Sequence, residues 1–320
     1  MKKIPIIIFA IVLIMLSCAS CESEGKNMQA KYNITLYNEV INQISGLTKD
    51  FEIVFISDSH ISLADKRDPV DVENKALSRY AMFKDSKGNG ADKTFHDMIE
   101  YTKHISPDLL ILGGDIIDSA MFSSIEALQS NLDGLPFPYI YSLGNHDFEY
   151  GKEYFSQDSF DKYLPRLKAV SGSDKGYQIK DMGELIFFAV SDYNNKFSVE
   201  ALEAFKVICS GTKPVVLVTH IPLEPQTGDT SLWNKTIEVW KADSNGHSRV
   251  LLGDNSCIPD EVTREFIDLA LSESSPVALV LAGHVHFYHK DMLNRKVVQI
   301  VSGIGYGREM LHVTLKASNT

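Results

Sequence analysis

The sequence predicts an α/β domain, and three observations carry that expectation. Short apolar runs rich in β-branched residues recur along the chain, helical patterns lie between them, and two pairs of runs are joined by turn residues. Apolar runs of about four to eight residues bounded by turn residues read as buried strands. Their alternation with helices is the pattern of an α/β fold. The chain has 320 residues, 44% hydrophobic and 23% charged, enough for one large domain or two modest ones.

The N-terminus comes first. Lys2 and Lys3 precede an apolar run from Ile4 to Leu16, followed by the small residues Ser17, Cys18, Ala19 and Ser20. This is the layout of a secretory signal peptide, and the run is short of the roughly 20 apolar residues a transmembrane helix needs. Met15-Leu16-Ser17-Cys18 also resembles a bacterial lipobox. Residues 1–17 are therefore expected to be a signal peptide, removed before a lipidated Cys18. Cys21 is a competing site, and an ordinary signal peptide or an uncleaved anchor stays open. The expected product is an exported cell-envelope lipoprotein, in the periplasm or at the cell surface, held to the membrane by its lipid. Residues 18–47 read as a tether and a short amphipathic segment, Tyr32 to Ile44, ahead of a domain over 48–320.

Within that domain, strands are expected at Phe51 to Ile56, Leu109 to Leu112, Tyr139 to Tyr141, Val215 to Thr219 and Val277 to Leu281. Helices are expected at Lys93 to Ile105, Ser123 to Leu132, Val199 to Ile208 and Pro259 to Leu271. The last opens with Pro259, Asp260 and Glu261, which suit the positive end of a helix. Hairpins are expected around the turns Asp181 to Glu184 and Asn294 to Lys296, which implies a mixed sheet or two packed sheets. Residues 224–258 form a long insertion, and connections of that length are usually functional or disordered. Cys209 and Cys257 could pair in an oxidising compartment, but two buried free thiols are the expectation, on the burial habit of Cys.

The residues following the expected strands carry the chemistry. After the first comes Asp58-Ser-His60; after the second, Gly113-Gly114-Asp115-Ile-Ile-Asp118; after the third, Gly144-Asn145-His146-Asp147. The fourth ends at His220, and the fifth is followed by Gly283-His284-Val-His286. Ligand sites of open α/β sheets lie outside the carboxyl ends of strands. Asp and His side chains gathered there suit Mn, Fe, Zn or Ni, and thiolate ligands are lacking from the set. In an extended strand end, residues i and i+2 point the same way, which would let Asp58 act with His60, and His284 with His286.

Taken together and in this order, the motifs resemble the calcineurin-like metallophosphoesterase superfamily, from about Phe51 to Leu315. The resemblance implies a four-layer α/β/β/α sandwich of two mixed β-sheets flanked by helices. It also implies two divalent or trivalent metal ions. Asp58, His60 and His286 would hold the first, Asn145, His220 and His284 the second, and Asp115 would bridge them. A hydroxide shared by the ions would attack phosphorus in line. His146 would be a non-ligand acid, oriented by Asp147, with Asp118 a structural residue behind the site. Ile116, Ile117 and Asp118 stand where purple acid phosphatases place an iron-binding Tyr, which argues against that branch.

Further candidates lie outside the motifs. Asp192, Tyr193 and Tyr306 are candidates for lining a substrate pocket, although loop residues of this kind also make plain turns. Trp233 and Trp240 could stack on a base or sugar, or anchor a small cap. Lys75, Arg79 and Lys84, mixed with Asp71 and Glu73, read as a solvated face from which one Arg could reach a phosphate. The net charge of -11 disfavours long nucleic acid. The expected partner is a small phosphate mono- or diester. A non-catalytic interaction module on the same fold, and an envelope lipid or glycan phosphodiesterase, are the alternatives.

Overall fold

A computed structural model describes residues 25–148, 156–241, 250–254 and 256–318. The expected signal segment, Cys18 and Cys21 lie outside the described residues. Among those described, no helix is long and apolar enough to cross a membrane.

Among the described residues eleven strands occur in chain order: β1 (Thr35–Ile44), β2 (Phe51–Ile56), β3 (Leu109–Leu112), β4 (Tyr139–Tyr141), β5 (Tyr177–Asp181), β6 (Ile186–Val190), β7 (Val215–Val218), β8 (Val277–Ala282), β9 (His289–Met292), β10 (Val298–Val301) and β11 (Glu309–Ala317). The named helices are α1 (Val70–Met82), α2 (Ala91–Ile105), α3 (Phe122–Leu132), α4 (Gln157–Ser171), α5 (Val199–Cys209), α6 (Ser231–Trp240) and α7 (Glu261–Leu271). The strands form a five-stranded sheet ordered β1-β11-β2-β3-β4 and a six-stranded sheet ordered β5-β6-β7-β8-β10-β9. Both are mixed: β11 runs antiparallel to β2, and β5 and β9 run antiparallel to their neighbours.

The apolar strands explain the layering, because a strand buried on both faces must be apolar at every position. In β2, Phe51, Ile53 and Phe55 join Phe187, Val216 and Leu281 of the other sheet in one core. The alternate residues Val54 and Ile56 pack instead with Phe95 and Met98 of α2 and Leu128 of α3. On the far side, Val215 and Leu217 meet Phe205 of α5 and Phe266 of α7. The result is the four-layer α/β/β/α sandwich. Helix α7 starts as expected, with the Asp260 carboxylate accepting from the Thr263 N–H at 2.9 Å.

Two parts of the expected organisation change. Residues 35–44, placed ahead of the domain, form its edge strand β1, with Thr35 opposite Glu309 and Ile41 opposite Leu315. The strand's packed apolar residues divide between two cores, Leu36 packing against the one under α2 and Tyr37, Ile41 and Ile44 against the one between the sheets. The 224–258 insertion contains helix α6, and its Leu232 and Leu251 pack on Val285 and Phe287. Residues 242–249 and 255 of it lie outside the described residues. Cys209 and Cys257 both remain thiols, the first half-buried and the second buried.

Candidate metal centre

Strands β2, β3 and β4 of one sheet and β7 and β8 of the other deliver their following residues to one place. Backbone conformation there departs from the extended geometry expected at a strand end. Asp58, His60, Asp115, His284 and His286 all have left-handed φ, between 51° and 72°. Such a backbone costs a non-glycine residue roughly 1–3 kcal/mol and persists where surrounding bonds over-determine it. Here those bonds are visible. The Asp58 and His60 N–H groups donate to the Gly114 and Asp115 carbonyls at 3.0 and 2.9 Å. The His284 N–H donates to the Asp58 carboxylate at 3.0 Å, and the His146 N–H to Asp115 Oδ1 at 2.7 Å. Two glycines make the approach possible. A Cβ on Gly114, at φ 93°, would lie 2.4 Å from the His220 ring, and one on Gly283 would lie 2.5 Å from Asp58 Oδ2.

The ligand candidates separate into two groups. Asp58, His60 and His286 each offer an atom within 4.8 Å of the others, and so do Asp115, His220 and His284. His286 Nε2 lies 3.3 Å from Asp58 Oδ1 and 3.2 Å from His60 Nε2. His220 Nε2 lies 3.0 Å from Asp115 Oδ2. The side chains of Asp58, His60, Asp115 and His220 are buried, while Asn145, His146, His284 and His286 are half-buried.

This donor set fits metal. The Asn145 Oδ1 atom is buried without a hydrogen-bond partner, which is costly unless something else occupies it. His60 donates its Nδ1 proton to Asp118 Oδ1 at 3.2 Å, and His220 donates its own to the Gly113 carbonyl at 2.9 Å. Each ring therefore turns its Nε2 toward its group, the arrangement found behind metal-bound histidines. Burial holds the His60 ring below the usual His range, favouring the neutral form. Burial would raise the Asp58 carboxyl, but the His286 hydrogen bond and the charges of His220 and His286 outweigh it and bring it to about 2.

The two remaining acids exchange their expected roles. Asp147 does not orient His146. Its carboxylate accepts from the N–H groups of Asp115, Ile117 and Gly144 at 2.9, 3.1 and 2.7 Å, and from the Tyr141 hydroxyl. It is a buried clasp holding the Gly-Asp and Gly-Asn turns together. Burial and the Asp115 charge raise it to about 7. Asp118 faces the site: its Oδ1 lies 2.9 Å from His146 Nδ1 and 3.2 Å from His60 Nδ1. This accounts for a third grouping of titratable residues, His60, Asp118 and His146. Arg79 closes on the same carboxylate, with its Nε on Oδ2 and its Nη2 2.8 Å from Oδ1.

The substrate candidates divide. Tyr306 stands at the site, its ring 5.9 Å from His286 and 6.1 Å from His60. Tyr193 is turned into an aromatic cluster with Phe148 and Phe160, at ring distances of 4.2 and 5.8 Å. Asp192 is buried behind the site, accepting from the His220 N–H at 2.8 Å and from the Ile221 N–H. Burial raises its carboxyl to about 7. Asp192 therefore holds the His220 backbone, and Tyr193 packs on the Phe148 and Phe160 rings beside an open cavity shared with Phe160 and Ser191. Trp240, at the end of α6, donates its indole N–H to the Val285 carbonyl at 2.9 Å. Its ring lies 5.9 Å from His284 and 6.4 Å from His286. Trp233 packs under the insertion.

Comparison with known proteins gives three findings. The family model described as calcineurin-like phosphoesterase matches residues 51–288. No curated protein matches the sequence. Among solved structures, a dimetal phosphatase from Danio rerio is similar at 13% identity and a TM-score of 0.50, over 84% of this chain and 93% of that one. A purple acid phosphatase from yellow lupin (Lupinus luteus) seeds is similar at 15% identity and a TM-score of 0.49, over 82% of this chain and 45% of that one.

Proposed function

The chain belongs to the calcineurin-like phosphoesterase family, a metallophosphoesterase hydrolase, and from that premise we propose that it cleaves small phosphate mono- or diesters at a two-metal centre by in-line displacement. The observation that carries the reading is the pair of ligand groups, Asp58-His60-His286 and Asp115-His220-His284, lying beside a histidine that belongs to neither. Asp115 would bridge the two ions, and Asn145, whose buried Oδ1 has no hydrogen-bond partner, would add a ligand to the second. Two bound ions would supply Lewis-acid polarisation of the phosphoryl group and acidify water; Mn, Fe, Zn and Ni all suit these donors.

The chain's own residues complete the reaction. As an imidazolium with its Nδ1–H on Asp118, His146 would give the Nε2 proton to the departing oxygen and be left as the Nδ1–H tautomer. Asp118 fixes that tautomer. Tyr306 and Trp240 form apolar walls beside His286. The charge of -11 favours a small ester over long nucleic acid.

The test is hydrolysis of p-nitrophenyl phosphate and bis-p-nitrophenyl phosphate by the Mn²⁺-loaded protein, with Asp115→Asn as control. Cleavage that vanishes in the control supports the reading, and the preferred ester separates phosphatase from phosphodiesterase. Silence on both esters across Mn²⁺, Fe²⁺, Zn²⁺ and Ni²⁺ in folded protein would overturn it. The N-terminal pattern supports a second part of the proposal: export, with lipid on Cys18 holding the protein at the cell envelope. The mass of the mature protein, with Cys18→Ser for comparison, decides that point; a chain that starts elsewhere and carries no lipid refutes it.

A further inference from the structure

We propose that Arg79 is a positioning residue for the hydrolysis: its guanidinium fork fixes the Asp118 carboxylate so that one oxygen takes the Nδ1 protons of His60 and His146 together. The inference rests on the hydrolase reading above and extends it to a helix outside the family motifs.

The geometry is that of a crowded, fully used carboxylate. Asp118 is buried, and its Oδ1 lies 2.8 Å from Arg79 Nη2, 2.9 Å from His146 Nδ1 and 3.2 Å from His60 Nδ1. Its Oδ2 is taken by Arg79 Nε. A carboxylate bound only by two imidazoles on one oxygen could swing about its Cβ–Cγ bond. Two parallel guanidinium bonds remove that freedom, and Lys, a point donor, cannot reproduce them.

Arg79 is itself held. It lies in the last turn of α1 with its guanidinium 4.9 Å from the Phe83 ring centre. Phe83, the residue that ends the helix, stacks on His60 at 4.2 Å and 10°. The end of α1 thus touches the centre twice, through Phe83 on the His60 ring and through Arg79 on Asp118. Arg79 Nη2 also comes within 3.2 Å of His146 Nδ1. With that nitrogen's proton on Asp118, this proximity is electrostatic, and it sharpens the dependence of His146 on its carboxylate. The consequence is specific. If Arg79 acts through Asp118 on the proton-donating histidine, its loss harms esters with a basic leaving oxygen more than activated esters.

The experiment compares wild type, Arg79→Gln, Asp118→Asn and the double variant, all loaded with Mn²⁺, on a p-nitrophenyl ester and on the corresponding phenyl ester. Arg79→Gln is expected to lower kcat on the order of 10²-fold on the phenyl ester and far less on the p-nitrophenyl ester. KM should stay near wild type when Mn²⁺ is saturating, while Mn²⁺ affinity should fall, because His60 leans on the same carboxylate. The double variant should lose no more than Asp118→Asn, as groups acting as one unit do. Equal losses on both esters at matched Mn²⁺ occupancy would make Arg79 merely structural and overturn the proposal. A raised KM with unchanged kcat would overturn it too, by making Arg79 a phosphate contact. If Arg79→Gln does not fold, Arg79→Lys is read the same way. If wild type cleaves neither ester, the hydrolase reading fails on its own. Ring ¹H–¹⁵N spectra of the metal-free protein then decide about Arg79: loss of the His146 Nδ1–H signal in the variant supports it, and its persistence refutes it.

Discussion

Asp147 and Asp118 do opposite work around His146. Asp147 adjoins His146 in the chain, yet its carboxylate binds three backbone N–H groups and the Tyr141 hydroxyl. Asp118, 28 positions before His146, is the residue on its ring. The clustering of the candidate ligands was legible because residue type and order repeat a known pattern. Which acid faced the ring was not, because that depends on turns with left-handed residues that no spacing rule describes. Substitution separates the two roles. His146→Ala and Asp118→Asn should each cost on the order of 10²-fold or more in kcat while keeping metal and fold. Asp147→Asn should instead destabilise the protein by at least about 3 kcal/mol, since an amide N–H₂ must face backbone donors. Thermal melts beside turnover rates check both. An Asp147→Asn protein that melts with wild type but has lost turnover would restore Asp147 to the catalytic role.

At the scale of elements, the strands that feed the site were readable because they are buried on both faces and therefore continuously apolar. The edge strands were harder. β1 buries only Ile41 and Ile44 among its described side chains, and its partner β11 lies far along the chain. Helix α1 shows mostly exposed residues, and nothing local marks Arg79 as turned inward. The other sheet's edge carries a testable electrostatic cost. Asp291 on β9 is buried, accepts from Gln299 Nε2 at 3.2 Å and leaves Oδ2 without a partner. Burial pushes its carboxyl up to about 6, with the Asp229 charge adding to the rise. The folded state then holds this proton more tightly than the unfolded chain does. Its contribution to stability is present at low pH and is lost as pH rises from about 4 through about 6. Between pH 4.5 and pH 8 the loss should be on the order of 2 kcal/mol, and Asp291→Asn should abolish it. Urea midpoints of both proteins at the two pH values test this; parallel pH dependence in the two would refute it.

For the whole molecule, the position of the metal groups between the sheets is the main consequence of the fold. The first group takes Asp58 and His60 from the turn after β2 and His286 from beyond β8. The second takes Asp115 from after β3, and His220 and His284 from after β7 and β8. Every group therefore draws on both sheets, which share the apolar core of Phe55, Phe187 and Leu281 but are not hydrogen-bonded to one another along a ladder. Metal held there would clamp the sheets at their functional end and offset the buried charges of Asp58 and Asp115. Ligand that binds only the folded state stabilises it by mass action, about 4 kcal/mol at a thousandfold excess over Kd. Chelation should lower the melting temperature, and Asp115→Asn should remove most of that metal-dependent difference. Hydrogen exchange should quicken chiefly at the turns after β2, β3, β7 and β8, while the Phe55–Phe187 core keeps its protection. A uniform rise in exchange across both sheets would mean that metal supports the entire fold; no rise at all would mean that the apolar core alone holds the sheets together at the site.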